Sequence, residues 1–182
     1  YHGVIYSERF GNAAYIVKAR THLMRDFGVQ ASPNNAFLLN LGLETLFLRM
    51  QRHCENALKV AQYLNQSDKI LSVRYPGLKG DLYYDLAKKY MPNGTSGVIA
   101  FRVKGGRDAA AKLMDKTKLT SRVIHVADVR TCILHPASTT HRQMTDEQLK
   151  EAGIEPDLIR LSVGIEYIGD IIEDLEQALR QL

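Results

Sequence analysis

The run LIRLSVGIE, Leu158–Glu166, carries the side chain with the most chemical content in the chain, Arg160. Strand alternation puts Ile159, Leu161 and Val163 on one face and Arg160 and Ser162 on the other. A guanidinium held on a rigid strand presents a fixed fork of N–H donors that matches a carboxylate at two points. An arginine on the wet face of a strand satisfies the same pattern, and periodicity alone does not separate the two. His135 and His141, in HPASTTH, are conceivable metal ligands, but no carboxylate or thiol completes a set at a recognised spacing. Gly105-Gly106 before a helix resembles a phosphate cradle. It reads better as a turn, since Asp108 as N-cap would repel a phosphate. There is no Ser or Cys nucleophile motif and no dinucleotide fingerprint.

The elements that must position these residues follow from periodicity. Ala13–Phe27 reads as an amphipathic helix ended by Gly28, a good C-terminal cap. Ser32-Pro33 is an N-cap followed by proline at the first helical position, and the helical pattern then runs to Gln66. Met50, Cys54, Ala57, Leu58, Ala61 and Leu64 share one stripe. A helix of that length would span about 50 Å, which suits a linker between domains. Gly42 interrupts it, and a kink or a close backbone contact is expected there.

After Gln66 short strands alternate with short helices. The strands are Ile70–Tyr75, Gly97–Lys104, Arg122–Val126, Thr131–Leu134 and Leu158–Val163. The helices are Asp81–Tyr90, Asp108–Lys116, Thr145–Ala152 and Ile168–Leu182. Thr145 with Gln148 forms a capping box. Ile168, Ile171, Ile172, Leu175, Ala178 and Leu179 give the last helix one apolar face, which needs a sheet to cover it. The strands Arg122–Val126 and Thr131–Leu134 are expected to pair across a turn at Ala127-Asp128. The fold class is α+β: a largely antiparallel sheet with helices on one face, preceded by a long linker helix. The domain boundary is set at 66/67.

With 182 residues, 45% hydrophobic and 24% charged, the chain has the composition of a folded protein with one sizeable domain, or a small domain and part of another. No apolar run approaches the ~20 residues of a membrane span, and no signal peptide is recognisable. The net charge of +4 comes from Lys and Arg scattered along every segment, unlike the stripe of a nucleic-acid binder. Cys54 and Cys132 lie apart among apolar neighbours and read as buried free thiols of a cytoplasmic protein. The chain opens on Tyr1, not Met, and is expected to be a piece of a longer protein.

Several long stretches in order resemble the C-terminal region of the Cys/Met-metabolism enzymes that depend on pyridoxal 5'-phosphate (PLP). They are YHG at Tyr1, SPNNAFLLNLGLETLFLRM (Ser32–Met50), NALKVAQYL (Asn56–Leu64), YPGL at Tyr75, AKKYMPNGTSGVIAFRVKGG (Ala87–Gly106), HPASTTH and IRLSVGIE. The wording NLGLETL and the Val126-x-Asp128 turn are similar to the sulfhydrylase branch of that family. The resemblance implies the small C-terminal domain of a fold-type I PLP enzyme, with residues 1–66 closing the large PLP domain and supplying the linker. It implies a γ-replacement that makes homocysteine from O-acetylhomoserine and sulfide, in a homo-oligomer, usually a tetramer. Cystathionine γ-synthase or methionine γ-lyase activity, or a non-catalytic binding or assembly module with this fold, are the alternatives.

By the same resemblance Arg160 binds the substrate α-carboxylate and Thr140 lies near it. His125 stands where the sulfhydrylases carry Asn and the other branch Ser, a position that helps hold the carboxylate, and Ala127 replaces the usual Gly. The cofactor lysine of the family sits in a Ser-x-Thr-Lys motif followed by Gly-His. Thr117-Lys118 is the only Thr-Lys here, with Asp115 in place of the serine and Thr120-Ser121 following. The resemblance therefore implies that the lysine and the rest of the PLP seat lie upstream of the region resembling Tyr1.

Overall fold

The computed structural model describes residues 2–182, so the YHG stretch opens outside the described residues. The chain divides into two compact units, the first ending at Thr45 and the second running Leu46–Leu182. In the first, α1 (Tyr6–Phe10), α2 (Ala14–Lys18) and α3 (Arg25–Phe27) are joined by a 3-10 turn, Gly11–Ala13, and a π-helical stretch, Ala19–Met24. Gly28 ends this run in the left-handed conformation at φ 65°, as its position in the sequence predicts. Helix α4 (Pro33–Glu44) starts on Ser32, whose hydroxyl accepts from the Asn35 amide at 3.2 Å.

The expected continuous helix is broken. Thr45, at φ −109° and ψ 8°, separates α4 from α5 (Leu46–Gln66). The interruption thus falls at Thr45 and not at Gly42, where an added Cβ would meet open space. Helix α5, grouped with the first segment by the sequence boundary at 66/67, packs on the sheet of the second unit through Ala57, Val60, Ala61 and Leu64.

That sheet has the order β1-β2-β4-β3 and every pairing is antiparallel: β1 (Ile70–Arg74), β2 (Val98–Val103), β3 (Cys132–Leu134) and β4 (Leu158–Ser162). Between β1 and β2 lies α6 (Tyr84–Tyr90). Helix α7 (Gly106–Lys116) follows β2, α8 (Asp146–Glu151) precedes β4, and α9 (Ile168–Leu179) follows it. The face formed by Ile99, Phe101, Val103, Ile133, Ile159, Leu161 and Val163 is buried under α5, α7 and α9. The apolar stripe of α9 meets this core at Ile171, Leu175, Ala178 and Leu179, and the Thr145–Gln148 capping box closes as expected. Among the described residues no helix is long and apolar enough to cross a membrane. Both thiols are free; Cys132 is buried, but Cys54 is only half-buried.

The hairpin expected around Ala127-Asp128 does not form. Residues 122–126 make no ladder contact; Ser121, just before them, forms an isolated parallel bridge to Cys132. Residues 122–130 form a loop because their polar groups bond to β4 and the turn after it. Asp108, expected as the N-cap of α7, lies in its first turn, since the helix begins two residues earlier behind Gly105 at φ 103°.

Candidate functional site

Strand β4 is paired on both sides, with Arg160 opposite Ala100 of β2 and Leu134 of β3. Ile159 and Leu161 are fully buried and lock the strand to the core, which fixes Arg160 on the opposite face. Its Nη2 donates to the Ile124 carbonyl at 2.7 Å. Several other arginines of this unit have acid partners. Arg102 forks onto Asp157 at 2.6 and 3.2 Å, and Arg107, Arg122 and Arg130 pair with Asp146, Asp115 and Asp128. Among the described residues no carboxylate pairs with Arg160. A cation fixed on a rigid strand and left without an anion is suited to receive one from outside.

The loop that supplies Ile124 is fastened to β4 and the turn beyond it. The Ala127 amide donates to the Ser162 hydroxyl at 3.0 Å, and the Ile165 amide to the Val129 carbonyl at 2.9 Å. Glu166 accepts from the Thr131 amide at 2.6 Å and from its hydroxyl at 2.9 Å. Gly164 is required at this crossing, because an added Cβ would clash with the Val129 carbonyl oxygen. On α5, the Asn56 side chain donates to the carbonyls of Gly164 and Glu166, and the His53 Nδ1 lies 2.6 Å from the Val163 carbonyl.

His125 is exposed, and its Nδ1 lies 2.9 Å from the Asp128 carboxylate. Asp128 also accepts from the Arg130 guanidinium at 2.9 and 3.2 Å and from the Arg130 amide at 3.0 Å. The Arg130 contacts first, and then His125, hold the Asp128 carboxyl well below the usual carboxylate range. Arg160 and the His125 loop are thus brought together, through the Ile124 carbonyl. Thr140 makes its hydrogen bond to the neighbouring His141 Nδ1, at 2.9 Å, and none to Arg160. The anchors Ser162 and Glu166 and the Asp128–Arg130 pair are additions to the residues singled out in the sequence. For Ser162 a signal was present, since it shares the face of Arg160.

Thr117-Lys118 does not fit the cofactor. The Thr117 hydroxyl donates to the Met114 carbonyl, and the amides of Lys118 and Thr120 both donate to Asp174, at 2.7 and 2.8 Å. This pair therefore ends α7 as a capped turn, with Lys118 exposed. A groove of about 950 Å³ among Met50, Cys54, Tyr75, Tyr84 and Met91 includes none of Arg160, His125 and Thr140.

The second unit is thus an α+β domain that sets a strand-borne arginine, with no carboxylate partner among the described residues, beside a fastened loop. Residues 2–180 match the signature of the Cys/Met metabolism PLP-dependent enzymes, and the chain belongs to that family, whose cofactor is PLP. Homocysteine synthase of Schizosaccharomyces pombe is 49% identical, over 98% of this chain and 42% of that protein. O-acetyl-L-homoserine sulfhydrylase of Leptospira meyeri is 45% identical, over 100% of this chain and 43% of that protein. A solved structure, a candidate O-acetylhomoserine (thiol)-lyase of Campylobacter jejuni with a pyridoxyl-lysine phosphate, superposes with a TM-score of 0.85. It is 40% identical and aligns with 99% of this chain and 42% of its own. The chain therefore spans about 42% of the length of these relatives.

Proposed function

We propose that this chain is the substrate-carboxylate domain of a PLP-dependent O-acetylhomoserine sulfhydrylase. The overall reaction is γ-replacement: acetate leaves O-acetylhomoserine and sulfide takes its place, giving homocysteine. The names and the 45–49% identity of the S. pombe and L. meyeri relatives support that substrate pair. In this reading residues 1–66 are the end of the PLP domain with its linker and residues 67–182 the small domain. The cofactor lysine belongs to the part of the relatives' length beyond this chain, and the intact enzyme is a cytoplasmic homo-oligomer.

The observation that carries the role of this domain is the acid-free fork of Arg160, backed by the Ile124 carbonyl. Two parallel N–H bonds to the α-carboxylate hold the amino acid in one orientation, so that its Cα–H bond meets the reacting groups at a fixed angle. His125 lies in the same loop and Thr140 follows β3, and both are assigned to the substrate wall.

Steady-state kinetics of the full-length enzyme test the assignment. Arg160→Ala should cost roughly 2–5 kcal/mol in kcat/KM, the range for a buried charged contact that loses one partner. Arg160→Lys should be nearly as harmful, because a point ammonium cannot reproduce the fork. Unchanged kcat/KM for Arg160→Ala rules the role out.

A further inference from the structure

The loop carrying Ile124 is gripped twice by one face of β4. Arg160 holds the Ile124 carbonyl at 2.7 Å, and two residues along the strand Ser162 accepts from the Ala127 amide at 3.0 Å. Ser162 is 1% exposed, so its hydroxyl is withdrawn from water and spent on this contact. Ala127 has a φ of 59°, in the left-handed region that residues with a Cβ rarely adopt. Without a tether an alanine there gains by relaxing to negative φ. That rotation redirects the chain between Ala127 and Ile124, and with it the carbonyl that backs the arginine.

We infer that Ser162 is a positioning residue: by holding Ala127 in its left-handed conformation it keeps the Ile124 carbonyl on Arg160, and it acts on substrate affinity only through that loop. This rests on the reading of Arg160 as the carboxylate-binding group. The geometry distinguishes Ser162 from a serine that merely fills the sheet. Its partner is the amide of a strained residue, and the loop so fixed ends on the arginine itself. Ala127 is what makes the hydroxyl necessary, since a glycine reaches positive φ without help.

The experiment uses the full-length enzyme with Ser162→Ala, Ala127→Gly, the double variant and Arg160→Ala. Two quantities are read: KM and kcat for O-acetylhomoserine, and amide hydrogen exchange of the Val123–Arg130 segment without substrate. Ser162→Ala should raise KM about five- to tenfold, the size of one lost buried hydrogen bond, with kcat changed less than about twofold. Exchange in the segment should accelerate. In the Ala127→Gly background the same substitution should raise KM by about twofold or less. A Ser162→Ala enzyme that loses thermal stability with KM unchanged overturns the inference, as does an equal KM rise in both backgrounds. Arg160→Ala separates the two readings. If it leaves KM unchanged, the carboxylate role fails and this inference with it. If it raises KM while Ser162→Ala does not, the positioning role fails alone.

Discussion

His135, directly after β3, is fully buried, with Nε2 2.8 Å from the Pro156 carbonyl and Nδ1 2.9 Å from the Ser138 hydroxyl. A carbonyl only accepts, so Nε2 carries the proton and Nδ1 accepts from Ser138, which leaves neither nitrogen for a metal. Burial depresses this imidazole below its ordinary value of 6.5, against the pull of the Pro156 carbonyl. The unfolded chain then binds more protons than the folded one just below that value, so stability must fall as pH drops through about 6.5 towards the folded pKa. The urea midpoint should therefore be lower at about pH 5.5 than at about pH 7.5. His135→Gln should be less stable throughout but flatter between those two values. An unchanged slope in the variant would assign the pH response to other groups. At this scale the legible residues were those on regular elements: alternation alone aimed Arg160 away from the core. The His125–Asp128–Arg130 cluster was not legible as a cluster, because loop contacts have no sequence period. His53 and Asn56 were missed on α5 for a different reason. They are buried as partners of the backbone carbonyls of Val163, Gly164 and Glu166, and an apolar stripe does not register polar groups.

Helix α9 holds the end of α7 as well as the core. Asp174, 6% exposed, accepts from the amides of Lys118 and Thr120, one on each carboxylate oxygen. Burial pushes its carboxyl up, but the hydrogen bonds it receives from Lys118, Leu119 and Thr120 together outweigh this and hold the group below the ordinary value of 3.8. Its contribution to stability is thus present above that value and is lost as pH falls through the folded pKa. Asp174→Ala strands two amide donors, that of Thr120 buried and that of Lys118 half-buried, and should cost about 1–3 kcal/mol. Asp174→Asn keeps one acceptor and should cost less. Chemical denaturation at neutral pH reads both, and an Ala variant within about 0.5 kcal/mol of wild type would show that the turn is satisfied otherwise. Elements of this kind explain what the sequence disclosed. The α9 stripe, the Thr145–Gln148 box and the Gly28 cap are local signals and appeared where expected. The segment Arg122–Val126 has the β-branched composition of a strand, yet tertiary hydrogen bonds to β4 draw it out of the sheet. The split at Thr45 likewise has no local helix breaker to announce it.

In the proposed reading the chain as a whole holds one side of a reaction. Its arginine-bearing face is complete within the second unit, whereas its only Thr-Lys pair is consumed as the capped end of α7, with Lys118 exposed. A cofactor lysine must be desolvated or flanked by another cation to be a nucleophile at neutral pH, and it needs phosphate-binding groups within reach. An exposed lysine in a helix-ending turn meets neither condition. PLP mixed with this chain should therefore label lysines only sparsely and without preference. After borohydride reduction, peptide mass mapping should find no position modified in stoichiometric amount, and the visible spectrum should show no saturable band. The full-length enzyme, treated in the same way, should show one stoichiometric lysine outside the region matched by this chain. Stoichiometric reduction onto a single lysine of the chain, Lys118 above all, would overturn this division of labour. It would mean that the turn capped by Asp174 opens to form a cofactor seat, and the carboxylate domain would then also be the site of the cofactor bond.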